Sequence, residues 1–388
     1  MPIAQLLITI YCTVLAFSAI HAPQPLLPTL QAAFSVSEPK ASLLLTATLL
    51  PLAVAPIAYG FVLQRVSSRQ MLVVASGLLA LTQLAVAIAP TFEILLGLRL
   101  VQGLLIPAIL TALMTYLAAS AAPGRTTRVM AGYVAATVMG GFLGRAIAGA
   151  MTTAASWEAA FLLFGIAQLL CTALLLRLDA DPQAGFGRLD RRAVGQILRQ
   201  PRALRVYGAI FCAFFVFLSL LTFLPFRLVE LETGLSDLGI SLMYTGYLMG
   251  VVTALSALRV ADRIGGVVNT MLLGIAIFAA SLAMFLGPWL AVIFVGMFVF
   301  CAGMFLLHAL APGFLNQEVD GDIGVVNGLY IAFYYAGGAV GSWLPGYLYH
   351  GLGWEAYVAS LAAMLGLAGY WIWGLRSAPR AERGTYSG

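Results

Sequence analysis

The stretch Tyr133 … Gly140-Gly141-Phe142-Leu143-Gly144-Arg145-Ala146-Ile147-Ala148-Gly149 … Trp157-Glu158-Ala159 returns later in the chain. It reappears as Tyr330 … Gly337-Gly338-Ala339-Val340-Gly341-Ser342-Trp343-Leu344-Pro345-Gly346 … Trp354-Glu355-Ala356. Every matching residue lies 197 positions from its partner. One glycine match means little in a chain with 40 glycines, but eight identities at one offset mark an internal duplication. The chain is therefore read as two equivalent halves.

Composition says what the halves are made of. Of the 388 residues, 62% are hydrophobic and 9% charged, against about 25% charged in soluble domains. Such a chain cannot cover a water-facing surface, and its solvent is mostly lipid. About twelve stretches are apolar over the roughly 20 residues that a membrane helix needs. They lie near 5–30, 41–64, 70–89, 92–120, 127–152 and 157–177, then near 203–229, 236–258, 266–286, 288–314, 323–348 and 354–375. Period-2 alternation is absent, which argues against a membrane β-barrel. The expected fold is an all-α membrane protein of 12 transmembrane helices in two pseudo-symmetric six-helix bundles. The expected divisions are 1–177, a cytoplasmic linker 178–202 containing a basic amphipathic helix, and 203–388 with a short cytoplasmic tail. The first stretch lacks a basic n-region and reads as a retained helix.

Arginine and lysine placement sets the expected orientation. With both termini in the cytoplasm, 16 of the 20 basic residues fall on the inner side. They include Arg65, Arg69, Arg125, Arg128, Arg259, Arg263, Arg188, Arg380 and Arg383. The outer side keeps Lys40 and Arg227. The net charge of +5 thus follows topology, and no nucleic acid is expected as a partner. The linker helix would lie on anionic lipid. Cys12, Cys171, Cys212 and Cys301 sit within apolar spans and suit no metal site or disulfide framework.

Two parallel six-helix repeats resemble the major facilitator superfamily, whose halves rock about a central site. Gly60-Phe-Val-Leu-Gln64-Arg65-Val-Ser67-Ser68-Arg69 resembles its loop between helices 2 and 3, with Gln64 and Ser67 in place of the usual Asp and Gly. Ala261-Asp262-Arg263-Ile264-Gly265-Gly266 keeps the Asp-Arg-x-Gly core in the second half. The resemblance implies gating roles for Arg65, Arg69, Asp262, Arg263 and Gly265. Arg99-Leu-Val-Gln102-Gly103 and the glycine run around Arg145 resemble motifs of the drug/proton antiporter branch, with Arg145 where Pro is usual. That branch often has an acid three residues before a Gln-Pro in helix 1; here His21 precedes Gln24-Pro25.

Ionisable residues within a span are functional candidates, because placing a charge there costs at least about 2.5–3.5 kcal/mol. The spans contain His21, Arg99, Arg145 and His308, and no clear Asp or Glu. A cavity with basic or neutral titrating groups suits an anion, since Arg binds carboxylate or phosphate in a bidentate way. The expected substrate-binding residues are Arg99, Arg145, Gln102, Tyr330, Tyr334, Tyr244 and Tyr247. His21 and His308 are expected to carry protons, and Arg227 to anchor or gate the outer end. The expectation is a proton-coupled exporter of a small anionic or zwitterionic solute, such as a carboxylate metabolite or metallophore. Uptake by symport or anion exchange is the alternative, and a membrane-embedded enzyme or sensor the remote one. No cofactor is expected. A monomer in a bacterial inner membrane, with protons and a small molecule as partners, completes the reading.

Overall fold

The computed structural model describes residues 2–63, 65–120, 126–179 and 191–376. Gln64, Arg125, Arg188, Arg380 and Arg383, much of the expected linker and the expected tail lie outside these residues. The described chain forms α1 (Ile3–His21), α2 (Leu27–Phe34), α3 (Glu38–Val62), α4 (Ser68–Val86), α5 (Phe92–Ser120), α6 (Thr126–Ala154) and α7 (Trp157–Leu175). After α8 (Arg191–Leu198) come α9 (Pro201–Leu231), α10 (Asp237–Met243), α11 (Met249–Arg263), α12 (Val267–Ser281), α13 (Leu290–Glu318), α14 (Ile323–Gly341) and α15 (Gly346–Trp373). Short 3-10 turns, Tyr244–Leu248 and Leu282–Phe285, continue α10 into α11 and extend α12. Among the described residues, 12 helical stretches are long and apolar enough to cross a membrane. The fold is the expected all-α one, with no strand among the described residues.

Helix starts are capped where the sequence supplies short polar side chains. Ser67 and Gln70 form a reciprocal capping box at α4, Ser156 accepts from the Ala159 amide at α7, and Asp322 does so from Val325 at α14. The eleventh stretch ends earlier than expected, at Gly341. Gly353, at φ 85°, kinks α15 one residue before Trp354, where the twelfth stretch was expected to begin.

The duplication is visible in the packing. Gly140 and Gly144 of α6 lie against the backbone of Val14 and Ser18 on α1, with no room for a Cβ. Gly337 and Gly341 of α14 lie in the same way on Phe211 and Phe215 of α9. Val14 and Phe211, and Ser18 and Phe215, are themselves 197 apart, so the offset holds for both sides of each contact. Overpacking a tight interface costs about 1–3 kcal/mol or more. Gly341→Val is therefore expected to cut the yield of monodisperse detergent-extracted protein severely. Gly132→Ala, whose Cβ meets nothing within 4 Å, should leave it unchanged. Fluorescence-detected size exclusion of both variants checks this.

Successive helices alternate in direction. The ends near Ile3, Val62, Ser68, Arg263, Glu318 and Arg376 share one side, here the linker end; the opposite side is the distal end. Contacts between the first and second six spans run through α3 on α14 and α6 on α10. The hydrogen bonds that join them are distal or mid-depth. Thr46 Oγ1 meets Ser342 Oγ at 2.8 Å, Thr29 Oγ1 donates to Asp237 at 2.6 Å, and the Leu238 amide donates to Thr153 Oγ1 at 2.9 Å. His350 Nδ1 faces Glu38 at 2.9 Å, and Gln24 Nε2 donates to Thr222 Oγ1 at 3.4 Å. The distal side is thus closed.

Candidate functional site

The site begins at a break in the first span, expected as one helix over 5–30. α1 stops at His21 because Pro23 offers no N–H to the Ala19 carbonyl. The Gln24 amide turns back to the His21 carbonyl at 3.0 Å, and the Ala22 amide takes the Ser18 carbonyl at 2.8 Å. The Ala19 and Ile20 carbonyls are left without backbone donors. In lipid an unsatisfied carbonyl is costly. Arg99 of α5 supplies both: Nη1 donates to Ala19 O at 2.8 Å and Nη2 to Ile20 O at 3.1 Å. Its Nε donates to Leu44 O of α3 at 3.1 Å, and Nη1 also to Gln102 Oε1 at 2.7 Å. Arg99 is fully buried. It was expected to hold an anion. In this conformation its guanidinium instead ties α1, α3 and α5 together, a cation at a helix C-terminus. Gln102 gives its oxygen to Arg99, and its Nε2 has no partner among the described residues.

The break aims His21 and Gln24 at α6. There Arg145, also fully buried, donates from Nε to Gln24 Oε1 at 2.8 Å and from Nη1 to Gly141 O at 2.8 Å. Its Nη2 lies 3.1 Å from His21 Nδ1. A guanidinium has no acceptor, so His21 Nδ1 accepts and the ring proton sits on Nε2. Gly141 makes the room: its hydrogen faces His21 Cδ2, Arg145 Nη1 and Tyr247 Cε1, all 3.4–3.5 Å from where a Cβ would stand.

The second half closes over this group with rings. Arg145 Cζ lies 4.9 Å from the Tyr244 ring centroid and 5.0 Å from that of Tyr247. Both rings reach one guanidinium because Tyr244–Leu248 is a 3-10 turn, in which residues i and i+3 eclipse. Tyr244 OH donates to Leu221 O at 2.6 Å.

From Tyr247 the rings continue toward the linker end. Tyr247 meets Phe305 at 5.4 Å, and Phe305 meets His308 at 6.2 Å. His308 Nδ1 lies 2.6 Å from Tyr330 OH, and its ring stacks 4.8 Å from Tyr334. Phe214 of α9 stacks on Tyr334 in turn. His308, Tyr334 and Tyr335 are half-buried.

The structure thus groups Arg145, His21, Tyr244 and Tyr247 at one centre, and His308, Tyr330 and Tyr334 at a second. Gln24, Phe214 and Phe305 belong with them, although no role was expected for their side chains. Gln24 carried a signal, standing at i+3 from His21, and so did Phe305, three residues before His308 on the same helix face; Phe214, in an aromatic-rich chain, carried none. The expected gating residues lie apart. Asp262 and Arg263 are exposed and form no ion pair with a described residue. Gly265, at φ 84°, turns the chain after α11, and its carbonyl accepts from Asn269 at 3.0 Å. Arg65 is exposed at the linker end, and Arg69 donates to Leu176 O at 2.5 Å. Arg227, at the distal rim, pairs with Glu230 at 3.1 Å and stacks over Trp354.

The duplication does not repeat this chemistry. At the 197 offset His21, Gln24 and Arg145 correspond to Leu218, Leu221 and Ser342. The polar centre belongs to the first half alone. Among the described residues no cluster of His, Cys, Asp or Glu could hold a metal.

Twelve apolar helices in a duplicated arrangement, closed at one end over buried polar residues, define a membrane transporter of small molecules. The sequence profile of the Major Facilitator Superfamily matches residues 9–316, and the chain belongs to that superfamily. It is 25% identical over 366 residues to the uncharacterized MFS-type transporter YybF of Bacillus subtilis (strain 168), covering 92% of this chain and 89% of that protein. It is 25% identical over 365 residues to the inner membrane transport protein YnfM of Escherichia coli (strain K12), covering 91% and 85%. Among solved structures, it is similar to a bacterial homolog of the human lysosomal transporter Spinster in an inward-facing, occupied conformation, with TM-score 0.80, 14% identity and coverage of 97% and 98%. The nucleoside transporter NupG matches with TM-score 0.77, 13% identity and coverage of 96% and 99%. The relatives and fold neighbours are membrane transporters and not enzymes.

Proposed function

We propose that the protein exports a small organic anion or zwitterion across a bacterial inner membrane in exchange for protons, working as a monomer with both termini in the cytoplasm. The observation that carries the substrate class is Arg145: a permanent cation, buried between the halves, whose described partners include no carboxylate. A buried charge seeks a counter-charge, and a solute carboxylate supplies one. The two bundles, 1–177 and 203–388, would rock about this point, joined by the linker 178–202. Tyr330, Tyr334 and the Tyr244–Tyr247 pair would contact the body of the solute, ring and hydroxyl together. Arg99 with Gln102 would position α1 rather than touch the solute.

Proton coupling is assigned to His21 and His308. A proton on His21 Nδ1 would break its bond to Arg145 and put two cations side by side, with Arg99 on α5 as the next charge and Gln24, Tyr244 and Tyr247 as the other facing groups. Proton and anion binding would thus be linked at one guanidinium. At the linker end the exposed Asp262 and Arg263 fit gate residues in their disengaged state. The antiporter-like motifs on α5 and α6 favour export.

Uptake is the second reading, and one observation favours it. With the distal end closed, Arg145 has no accessible surface. A guanidinium held by Gln24, Gly141 and His21 while the distal end is closed would bind an anion weakly from the linker side, which suits release there.

Proteoliposomes with a pH gradient imposed in either direction, tested with a panel of small carboxylates, cations and neutral solutes, decide among these. Export predicts accumulation toward the acid side. Transport of cations alone sinks the anion assignment, and indifference to the gradient sinks the coupling. His308→Gln is expected to lower the response to the gradient at least about tenfold while downhill exchange continues.

A further inference from the structure

We propose that a groove between α12 and α15 holds an acyl chain of an anionic phospholipid, with its phosphate at Arg376. The groove has a volume of about 490 Å³. Its walls are Ile275, Ala276 and Ala279 on one helix and Ala362, Gly366 and Gly369 on the other. α12 packs on α11, α13 and α15, all of its own half, so the groove lies away from the path between the halves. Tyr370 and Trp373, 70% and 59% exposed, border it toward the linker end.

Two features point to an occupant. The first is a cleft that small residues of both helices leave unfilled. A Cβ at Gly366 would meet nothing within 4 Å, and one at Gly369 only Ile275 at 3.8 Å. No side chain of a described residue enters the space that Gly366, Gly369, Ala276 and Ala279 leave between the helices. The second is charge at one end only. Arg376 lies 4.3 Å over the Trp373 ring and donates to Asn269 Oδ1 at 2.5 Å. These two contacts hold the guanidinium at the linker end of the groove. Nη1 makes no hydrogen bond to a described residue and is available to a phosphate.

Length decides what kind of occupant fits. From Ala362 to Trp373 the groove runs about 16 Å at 1.5 Å per residue. That is about half of a 30 Å hydrocarbon core, the depth of one leaflet. A helix of a second copy would need a face running the full span. A lipid chain needs one leaflet, a basic group at headgroup level and aromatic residues at the interface.

The full-length protein, titrated with phosphatidylglycerol and phosphatidylcholine of matched chains and read by native mass spectrometry, tests this. The wild type is expected to retain phosphatidylglycerol about fivefold more strongly, the contribution of one basic residue. Arg376→Gln should lose that preference and still bind at the phosphatidylcholine level. Gly366→Phe, filling empty space, should lose both lipids; Ala276→Leu fills the groove from the other wall if the first variant does not fold. Equal retention of the two lipids by the wild type overturns the proposal. So does wild-type retention by the filled variants. A change in dimer content in place of bound lipid would assign the face to a second copy and also overturn it.

Discussion

Arg145→Gln is expected to abolish concentrative transport while leaving the protein folded. The glutamine keeps a donor toward Gly141 and Gln24 but loses the cation. A hydrogen bond to a charged group contributes about 1.5–3 kcal/mol, so anion affinity should fall about 10- to 100-fold. Arg145→Lys should recover little, because an ammonium cannot reach Gln24, Gly141 and His21 in the fork that the guanidinium spans. The measurement is substrate-induced thermal stabilisation beside proteoliposome flux, with size exclusion as the check on folding. Arg145→Gln transporting at the wild-type rate would remove the central residue from the proposed function. Tyr247→Phe is the companion variant. It keeps the ring over the guanidinium and should keep most of the flux.

Arg99→Ala is expected to act on the fold. Removing the guanidinium strands the Ala19 and Ile20 carbonyls in a dry interior, while Leu44 O keeps Thr48 Oγ1. At about 1–3 kcal/mol for each orphaned acceptor, the loss should be about 2–6 kcal/mol, a large share of the stability of an ordinary protein. Arg99→Lys should not rescue it, since a compact ammonium does not reproduce the planar fork whose separate nitrogens reach carbonyls on two helices. A double-mutant cycle separates this from a role in substrate binding. Pro23→Ala restores an N–H four residues beyond Ala19. In that background Arg99→Ala should cost measurably less in thermal melting. Simple additivity, or an intact Arg99→Ala protein that fails only to bind solute, would contradict the capping role.

These two arginines mark how far the sequence could be read. The twelve spans were legible because lipid leaves its mark on every residue of a helix. The duplication was legible because tight helix contacts admit only glycine, so Gly144 and Gly341 stand out by type as well as position. That Arg145 and His21 need buried partners was legible from the energetic cost of charge within a span. What Arg99 does was not. It depends on which carbonyls Pro23 orphans and on α3 and α5 arriving beside them, a relation among three helices that spacing along one cannot express. The pairing of Tyr244 with Tyr247 was half legible: their proximity follows from i+3 spacing, their common target from a local 3-10 turn. Phe305 was legible by its place on the His308 face, three residues away, whereas Phe214 was hidden by number in a chain with 22 phenylalanines.

The distal closure has a thermodynamic consequence. It is made of Thr46 with Ser342, Thr29 with Asp237, Thr153 with the Leu238 amide, Gln24 with Thr222, and one exposed His350–Glu38 pair. At about 1 kcal/mol net for each of the four hydrogen bonds, with little from the exposed His350–Glu38 pair, the polar part of the closure amounts to about 4 kcal/mol. Swinging a two-state equilibrium from 1:99 to 99:1 takes about 5.5 kcal/mol of differential binding. The polar part of the closure is therefore no larger than the binding free energy of one small solute. Under the proposed alternating access, these short hydroxyl contacts would be a part of the barrier that occupancy alone could offset.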